Sequence, residues 1–276
     1  MFGDDLYNAL NTALNQWNSK IDDIISLLTK TPEQFKPEVW TVIQNVFGSM
    51  QAVGYALLIL FFSIGILKTA GSLTDLKRPE VAIKMFIRFL LTKLALDNLM
   101  TGMNRCIEIG KSLILTINDR AGIQITNLSV PDSVKTAIKD LKWNNGLFMA
   151  IVALLGALVI MVLSIVVVLT VYGRFFKIFL YTAISPLPIS SFAGSPTAQV
   201  GKSFIKAYAG VILEGVIIVL ACVIYAAYAT STPVIDSSAS SSTIVWQYLG
   251  ETILSMLIFV GIVKMSDRVV KEVMNI

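Results

Sequence analysis

Residues 174–192, Arg-Phe-Phe-Lys-Ile-Phe-Leu-Tyr-Thr-Ala-Ile-Ser-Pro-Leu-Pro-Ile-Ser-Ser-Phe, decide how the chain folds. An apolar run that reads as helix meets Pro186 and Pro188, with Arg174 and Lys177 on one flank and Lys202 and Lys206 on the other. Proline removes a backbone donor and clashes with the preceding turn, so the helix breaks here. Even if wholly helical, residues 178–193 would cover about 24 Å, short of the roughly 30 Å hydrocarbon core of a bilayer. Residues 174–206 therefore read as a hairpin with both basic ends in the cytoplasm, either re-entrant or lying in the interface. Irregular backbone at membrane depth is tolerated only when buried in protein or lining a water-filled cavity. Ser185, Pro186, Pro188 and Gly194 are thus candidate conduit or oligomer contacts, with Thr182, Ser185, Ser190 and Ser191 as local hydrogen-bonding groups.

The surrounding composition sets the class. The 276 residues are 55% hydrophobic and 14% charged, and the mean hydropathy is +0.74, outside the range of soluble globular domains. The apolar blocks have helical length rather than the length of barrel strands. The expected fold is all-α: a polytopic helical membrane protein with about five spans, near 46–67, 81–100, 147–171, 207–229 and 244–263, plus the Pro-broken hairpin and an N-terminal amphipathic helix. Leu6, Leu10, Leu14, Trp17, Ile21, Ile24 and Leu28 recur at spacings of three and four, the signature of one apolar helix face. The opposite face is acidic and amide-rich, which suits packing on protein rather than on anionic lipid. Residues 1–40 form an extracytoplasmic region in this scheme, and residues 41–276 the transmembrane domain. Asp4 and Asp5 stand where a signal peptide carries positive charge, so insertion is expected through the internal spans.

Charge orients the spans. Lys68, Lys77, Arg78, Lys84 and Arg88 follow the first span, while acidic residues dominate before it; the N-terminus is expected outside and the C-terminus, with Lys264, Arg268 and Lys271, inside. The 81–100 span is the weakest, since Lys84, Arg88, Lys93 and Asp97 are costly in hydrocarbon; Lys93 and Asp97, four apart, are spaced to pair along a helix. A rival topology drops this span, makes 178–193 a full crossing and puts Arg174 and Lys177 outside.

Several chemistries are excluded. With no histidine and two widely separated cysteines, Cys106 and Cys222, His-dependent catalysis, His-based metal sites and CxxC clusters are absent. Residues 194–203, Gly-Ser-Pro-Thr-Ala-Gln-Val-Gly-Lys-Ser, end like a phosphate-binding loop, but the spacing requires glycine where Pro196 stands. No catalytic, cofactor or metal residues are expected. Glu214 is the notable buried-span carboxylate: a proton or ion ligand by default, or a partner of Arg88 or Lys93 in a network of Glu214, Arg88, Lys93 and Asp97. Lys68, Lys77, Arg78, Arg174, Lys177, Lys202 and Lys206 form a cytoplasmic basic collar, which the positive-inside rule itself demands and which also suits a polyanion or anionic lipid.

The block at 174–192, the following Gly-Ser-Pro-Thr-Ala-Gln-Val-Gly-Lys-Ser-Phe-Ile-Lys run and the span arrangement resemble the polytopic TrbL-like inner-membrane subunits of conjugative type IV secretion systems. The resemblance implies a non-enzymatic subunit of the bacterial cytoplasmic membrane without cofactors, assembled as a ring-like homo-oligomer for which a pentamer is plausible. It implies further secretion subunits as partners, including cytoplasmic ATPases, together with lipid and transiently single-stranded DNA, and a role in the conduit or platform for DNA and protein transfer. The alternative is a secondary transporter using Glu214 and the broken helix at Pro186 and Pro188, although such folds usually show paired broken helices in two repeats.

The five-span topology places Cys106 outside. A membrane-impermeant thiol reagent is expected to label it in intact cells; labelling only after permeabilisation would sink this arrangement.

Overall fold

The computed structural model describes residues 2–70, 79–121, 128–140, 143–230 and 239–275, in which all regular structure is helical. The protein is an all-α membrane protein. Its elements are α1 (Phe2–Leu28), α2 (Pro32–Phe35), α3 (Pro37–Ala70), α4 (Pro79–Asp97), α5 (Leu99–Ala121), α6 (Asp132–Lys139), α7 (Trp143–Ile184), α8 (Pro186–Ser190), a 3-10 turn (Ser191–Ala193), α9 (Ala198–Thr230) and α10 (Ser241–Met274). Among the described residues three helices are long and apolar enough to cross a membrane: Pro37–Lys68, Ile151–Ile184 and Ala198–Ala229. The expected spans at 81–100 and 244–263 fall on α4 and α10, outside those three. For α4 the reason is its five charged residues, Glu80, Lys84, Arg88, Lys93 and Asp97, and its end at Asp97; Asn98 then carries the chain into α5, donating its backbone N–H to Leu94 O at 3.2 Å.

Contacts divide the chain into two units that do not follow chain order: Met1–Thr29, Ile114–Tyr172 and Val216–Ser266 in the first, Lys30–Leu113, Gly173–Gly215 and Asp267–Ile276 in the second.

In the first unit the α1 stripe is buried from Leu6 to Leu28. Trp17 meets Tyr225 and Phe259 edge-on at centroid distances of 6.0 and 5.9 Å, and Tyr225 lies 4.6 Å from Phe259, spacings at which aromatic pairs stabilise beyond their area. The acidic, amide-rich face contributes one cross-chain clamp: the Asn18 side chain donates to Leu128 O at 2.9 Å and accepts from Leu128 N–H at 3.2 Å. Helix α6 packs on α1 with Val134, Ala137 and Ile138 buried.

In the second unit, Thr31 and Gln34 close a capping box over α2 and Pro37 opens α3, the position where a missing N–H costs nothing. Helices α3 and α4 run antiparallel: Gln51 donates to Leu96 O at 2.7 Å, the Tyr55 hydroxyl to Asp97 at 2.6 Å, and the Phe62 and Phe89 rings lie 4.8 Å apart. Helix α3 also accompanies the end of α7 in the same direction, with Phe35 stacked on Phe175 at 4.2 Å and Trp40 against Phe179 at 6.2 Å.

Two expectations change here. No helix breaker precedes Ser185, so α7 runs unbroken through Arg174 and Lys177 to Ile184, about 63 Å at 1.5 Å per residue; the break is confined to 185–197. Residues 35–40 and 175–179 also share one level, and Asp267 joins it through its ion pair with Lys177. The start of the first span outside and Arg174, Lys177 and Lys271 inside are therefore incompatible. The charge count treated each flank separately, whereas ring stacking ties the two flanks together.

The broken segment packs on α3 through glycine. A Cβ at Gly54 would lie 3.0 Å from Pro186, and one at Gly194 would lie 2.6 Å from Phe61 O and Thr197 Oγ1. Gly194→Ala is expected to destabilise by about 1–3 kcal/mol through overpacking. Gly48→Ala, where nothing lies within 4 Å, serves as the neutral control. Thermal unfolding in detergent checks this, and equal midpoints for the two variants would contradict the packing.

Candidate functional site

Helix geometry puts Arg174 and Lys177, three residues apart, on one face of α7, where that face meets α9. Glu214 is 2% exposed and Arg174 5%. Lys177 Nζ donates to both Glu214 carboxylate oxygens, at 3.2 and 3.1 Å, and to Asp267 Oδ1 at 2.9 Å. Lys271 donates to the other Asp267 oxygen at 2.8 Å. The result is an alternating chain, Glu214–Lys177–Asp267–Lys271, linking α7, α9 and α10.

Arg174 takes a different route. Its guanidinium donates to the carbonyls of Val211 and Ile212 at 3.2 and 3.3 Å. It can lie flat on α9 because residue 215 is glycine; a Cβ there would fall 2.5 Å from Arg174 Cζ. A buried cation is tolerated when its donors are satisfied and opposite charge is near, and Arg174 has backbone oxygens and the Glu214 charge. Asp267 lies beyond the expected spans. Burial would raise its carboxyl, but hydrogen bonds from Lys271 and Lys177 outweigh that and hold it below the usual carboxylate range. Its stabilising contribution is complete above its unfolded pKa of about 3.9 and is lost as pH falls through the lowered value.

Hydroxyls within the turn at 185–197 pair with several of its backbone groups. Pro186 cannot donate to Thr182 O, which instead accepts from the Ser185 backbone N–H at 3.3 Å and from Ser185 Oγ at 2.8 Å. Ser190 Oγ donates to Leu187 O and Ser191 Oγ to Pro188 O, each at 2.6 Å. Ser191 Oγ also accepts from Gly201 N–H at 2.9 Å, and Thr197 Oγ1 donates to Ser191 O at 2.7 Å. Ser185, Pro186, Pro188 and Gly194 are therefore gathered in one place, packed on α3.

The proposed charge network is not gathered. Lys93 pairs with Asp97 at 2.9 Å along α4, and Glu214 pairs with Lys177 rather than with Arg88 or Lys93. The collar separates too: Arg174 and Lys177 turn inward to α9, Lys68, Lys202 and Lys206 are exposed, and Lys77 and Arg78 lie outside the described residues. Asp267 and Tyr55 were missed. The i,i+4 spacing of Asp267 and Lys271 was legible; its ninety-residue reach to Lys177 was not. Tyr55 had no local signal.

One family model, described as TrbL/VirB6 plasmid conjugal transfer like protein, matches residues 17–186. The chain belongs to this family. The match takes in Trp17, α3, α4 and the whole of α7, and ends at Pro186, leaving out Glu214 and Asp267. No curated protein and no solved structure matches the chain.

Removing Lys177 strands a buried carboxylate. Lys177→Met is expected to destabilise by about 3 kcal/mol, the low end for breaking a buried pair, because the Lys177 side chain keeps 37% exposure. Adding Glu214→Gln should recover part of the loss. Unfolding midpoints in detergent test this, and a Lys177→Met protein as stable as the parent would refute the pairing.

Proposed function

We propose that this chain is a non-enzymatic, membrane-embedded subunit of a conjugative type IV secretion machine, contributing to the conduit or platform through which DNA and attached protein pass the bacterial cytoplasmic membrane. The observation that carries this is the family match over residues 17–186. The long helices support it: Ile151, Leu154, Leu158, Ile165 and Leu169 all stand exposed on α7, a surface that requires lipid or a second copy of the chain. A homo-oligomer meets that need, working beside other secretion subunits and cytoplasmic ATPases that supply energy.

The positive-inside rule applied to the antiparallel α3–α4 pair puts the end bearing Lys68 and Lys84 in the cytoplasm. The transporter alternative draws less support, because both Glu214 oxygens are occupied by Lys177.

Deleting the gene is expected to abolish conjugative DNA transfer, restored by the intact gene in trans, with solute uptake unchanged. Normal transfer with lost uptake would overturn the proposal in favour of the transporter.

A further inference from the structure

In the second unit, a groove of about 340 Å³ is lined by Lys84, Ile87, Arg88, Leu91, Thr92, Ala95 and Phe192. Its volume falls at the lower end of small-ligand sites. The lining is divided by chemistry. Lys84 and Arg88, four residues apart and so neighbours on one face of α4, occupy one end; Ile87, Leu91, Ala95 and the Phe192 ring make the rest. Thr92 adds little polarity, since its hydroxyl is turned to its own helix, donating to Arg88 O at 2.8 Å.

The two cations are unmatched. Among the described residues no ion pair involves Lys84 or Arg88, whereas Lys93 on the same helix is paired with Asp97. Two like charges one turn apart repel unless an anion lies between them. The apolar wall is built rather than incidental. Phe192 comes from the 3-10 turn after the proline break, and its ring occupies the space that a side chain at position 201 would fill, so Gly201 lets it lie in place. Beside the groove, Ile83, Phe86, Leu90 and Leu94 are also exposed, so the whole α4 face calls for an apolar solvent.

We propose that this groove binds one anionic phospholipid, its phosphate held between Lys84 and Arg88 and an acyl chain laid along Ile87, Leu91, Ala95 and Phe192. An unpaired dication beside a continuous apolar wall matches a molecule with a phosphate at one end and a hydrocarbon chain at the other. A single DNA strand would use the cations but would leave the aliphatic wall uncovered, and sequence-tolerant strand binding relies on several stacking aromatics, whereas this groove has one. The assignment does not depend on the secretion role.

The test is native mass spectrometry of the full chain in nonionic detergent, titrated with palmitoyl-oleoyl phosphatidylglycerol, with phosphatidylcholine of the same chains, with inorganic phosphate and with oligothymidylate. One phosphatidylglycerol per chain is expected to be retained under conditions that strip phosphatidylcholine. Lys84→Gln with Arg88→Gln should weaken retention about thirtyfold, the effect of two surface cations acting on one anionic headgroup. Ala95→Trp fills the apolar half without altering charge and should weaken it comparably. Lys202→Gln with Lys206→Gln removes equal charge elsewhere and should leave it unchanged. The first two variants act on opposite ends of the groove, so misfolding of one, seen by circular dichroism, leaves the other to decide. Unchanged retention in a folded groove variant, equal loss in the control, equal binding of phosphatidylcholine, displacement by inorganic phosphate, or preferential binding of oligothymidylate through Lys84 and Arg88 would each overturn the proposal.

Discussion

Pro186 and Pro188 strip two backbone donors from a chain that has just left a 42-residue helix, and the carbonyls they orphan must find partners without help from bulk water. The second unit is shaped by that requirement. Ser185 takes up the Thr182 carbonyl that Pro186 orphans, and further serine and threonine hydroxyls within the turn pair with the carbonyls of Leu187, Pro188 and Ser191, which lowers the polar cost. Helix α3 then comes close enough at Gly54 and Gly65 to cover what remains, close enough that a side chain at Gly54 would strike Pro186. The break is therefore tolerable because two separate parts of the sequence agree: hydroxyls inside it and glycines opposite it.

The charge chain solves a related problem on the other side of α9. Reversing the polypeptide at 185–197 brings α9 back along α7, so a carboxylate on α9 at Glu214 falls beside the cations on α7. A lone buried carboxylate would be costly and so would a lone Lys177; alternating them with Asp267 and Lys271 leaves neither sign uncompensated. Arg174 needs no carboxylate contact of its own, because α9 offers it two carbonyls and, at Gly215, the room to reach them. Residues that read as cytoplasmic anchors thus join helices to one another.

How much of this was legible in the sequence follows from range. The α1 stripe from Leu6 to Leu28 was visible because its period is that of a single helix, and the helical class and the proline break were visible because length and proline chemistry are local. The hydroxyls of Ser185, Ser190 and Ser191 were readable as local partners for the same reason, whereas the Thr182 hydroxyl, expected to join them, is buried without a hydrogen-bond partner among the described residues. Pairings across 37 residues, as in Glu214 with Lys177, or 90, as in Asp267 with Lys177, were not readable. Lys93 with Asp97 could be read at i,i+4, whereas Glu214 with Lys177 required knowing that α7 continues past Val171. The sequence offered Arg174 and Lys177 as a stop signal, the usual meaning of paired cations after an apolar run; only the stacking of Phe35 on Phe175 shows the helix carrying them onward beside α3.

The family match ends at Pro186, and that limit has a physical reading. It contains the helix that leads into the break and the pair α3–α4 that lies against it, but not the returning half, residues 187–215, that the pair must also accommodate. The covering surface is a constraint in its own right: any chain segment returning beside α3 must present a thin backbone at the level of Phe61, as Gly194 does here, or α3 must move away and expose the turn's carbonyls. A Pro-broken reversal and a glycine-bearing α3 are in this sense one device divided between two stretches of sequence. The Phe192 ring is its outermost part, resting on Gly201 on one side and facing α4 on the other, so the same turn that hides its backbone from α3 presents an apolar wall beyond it.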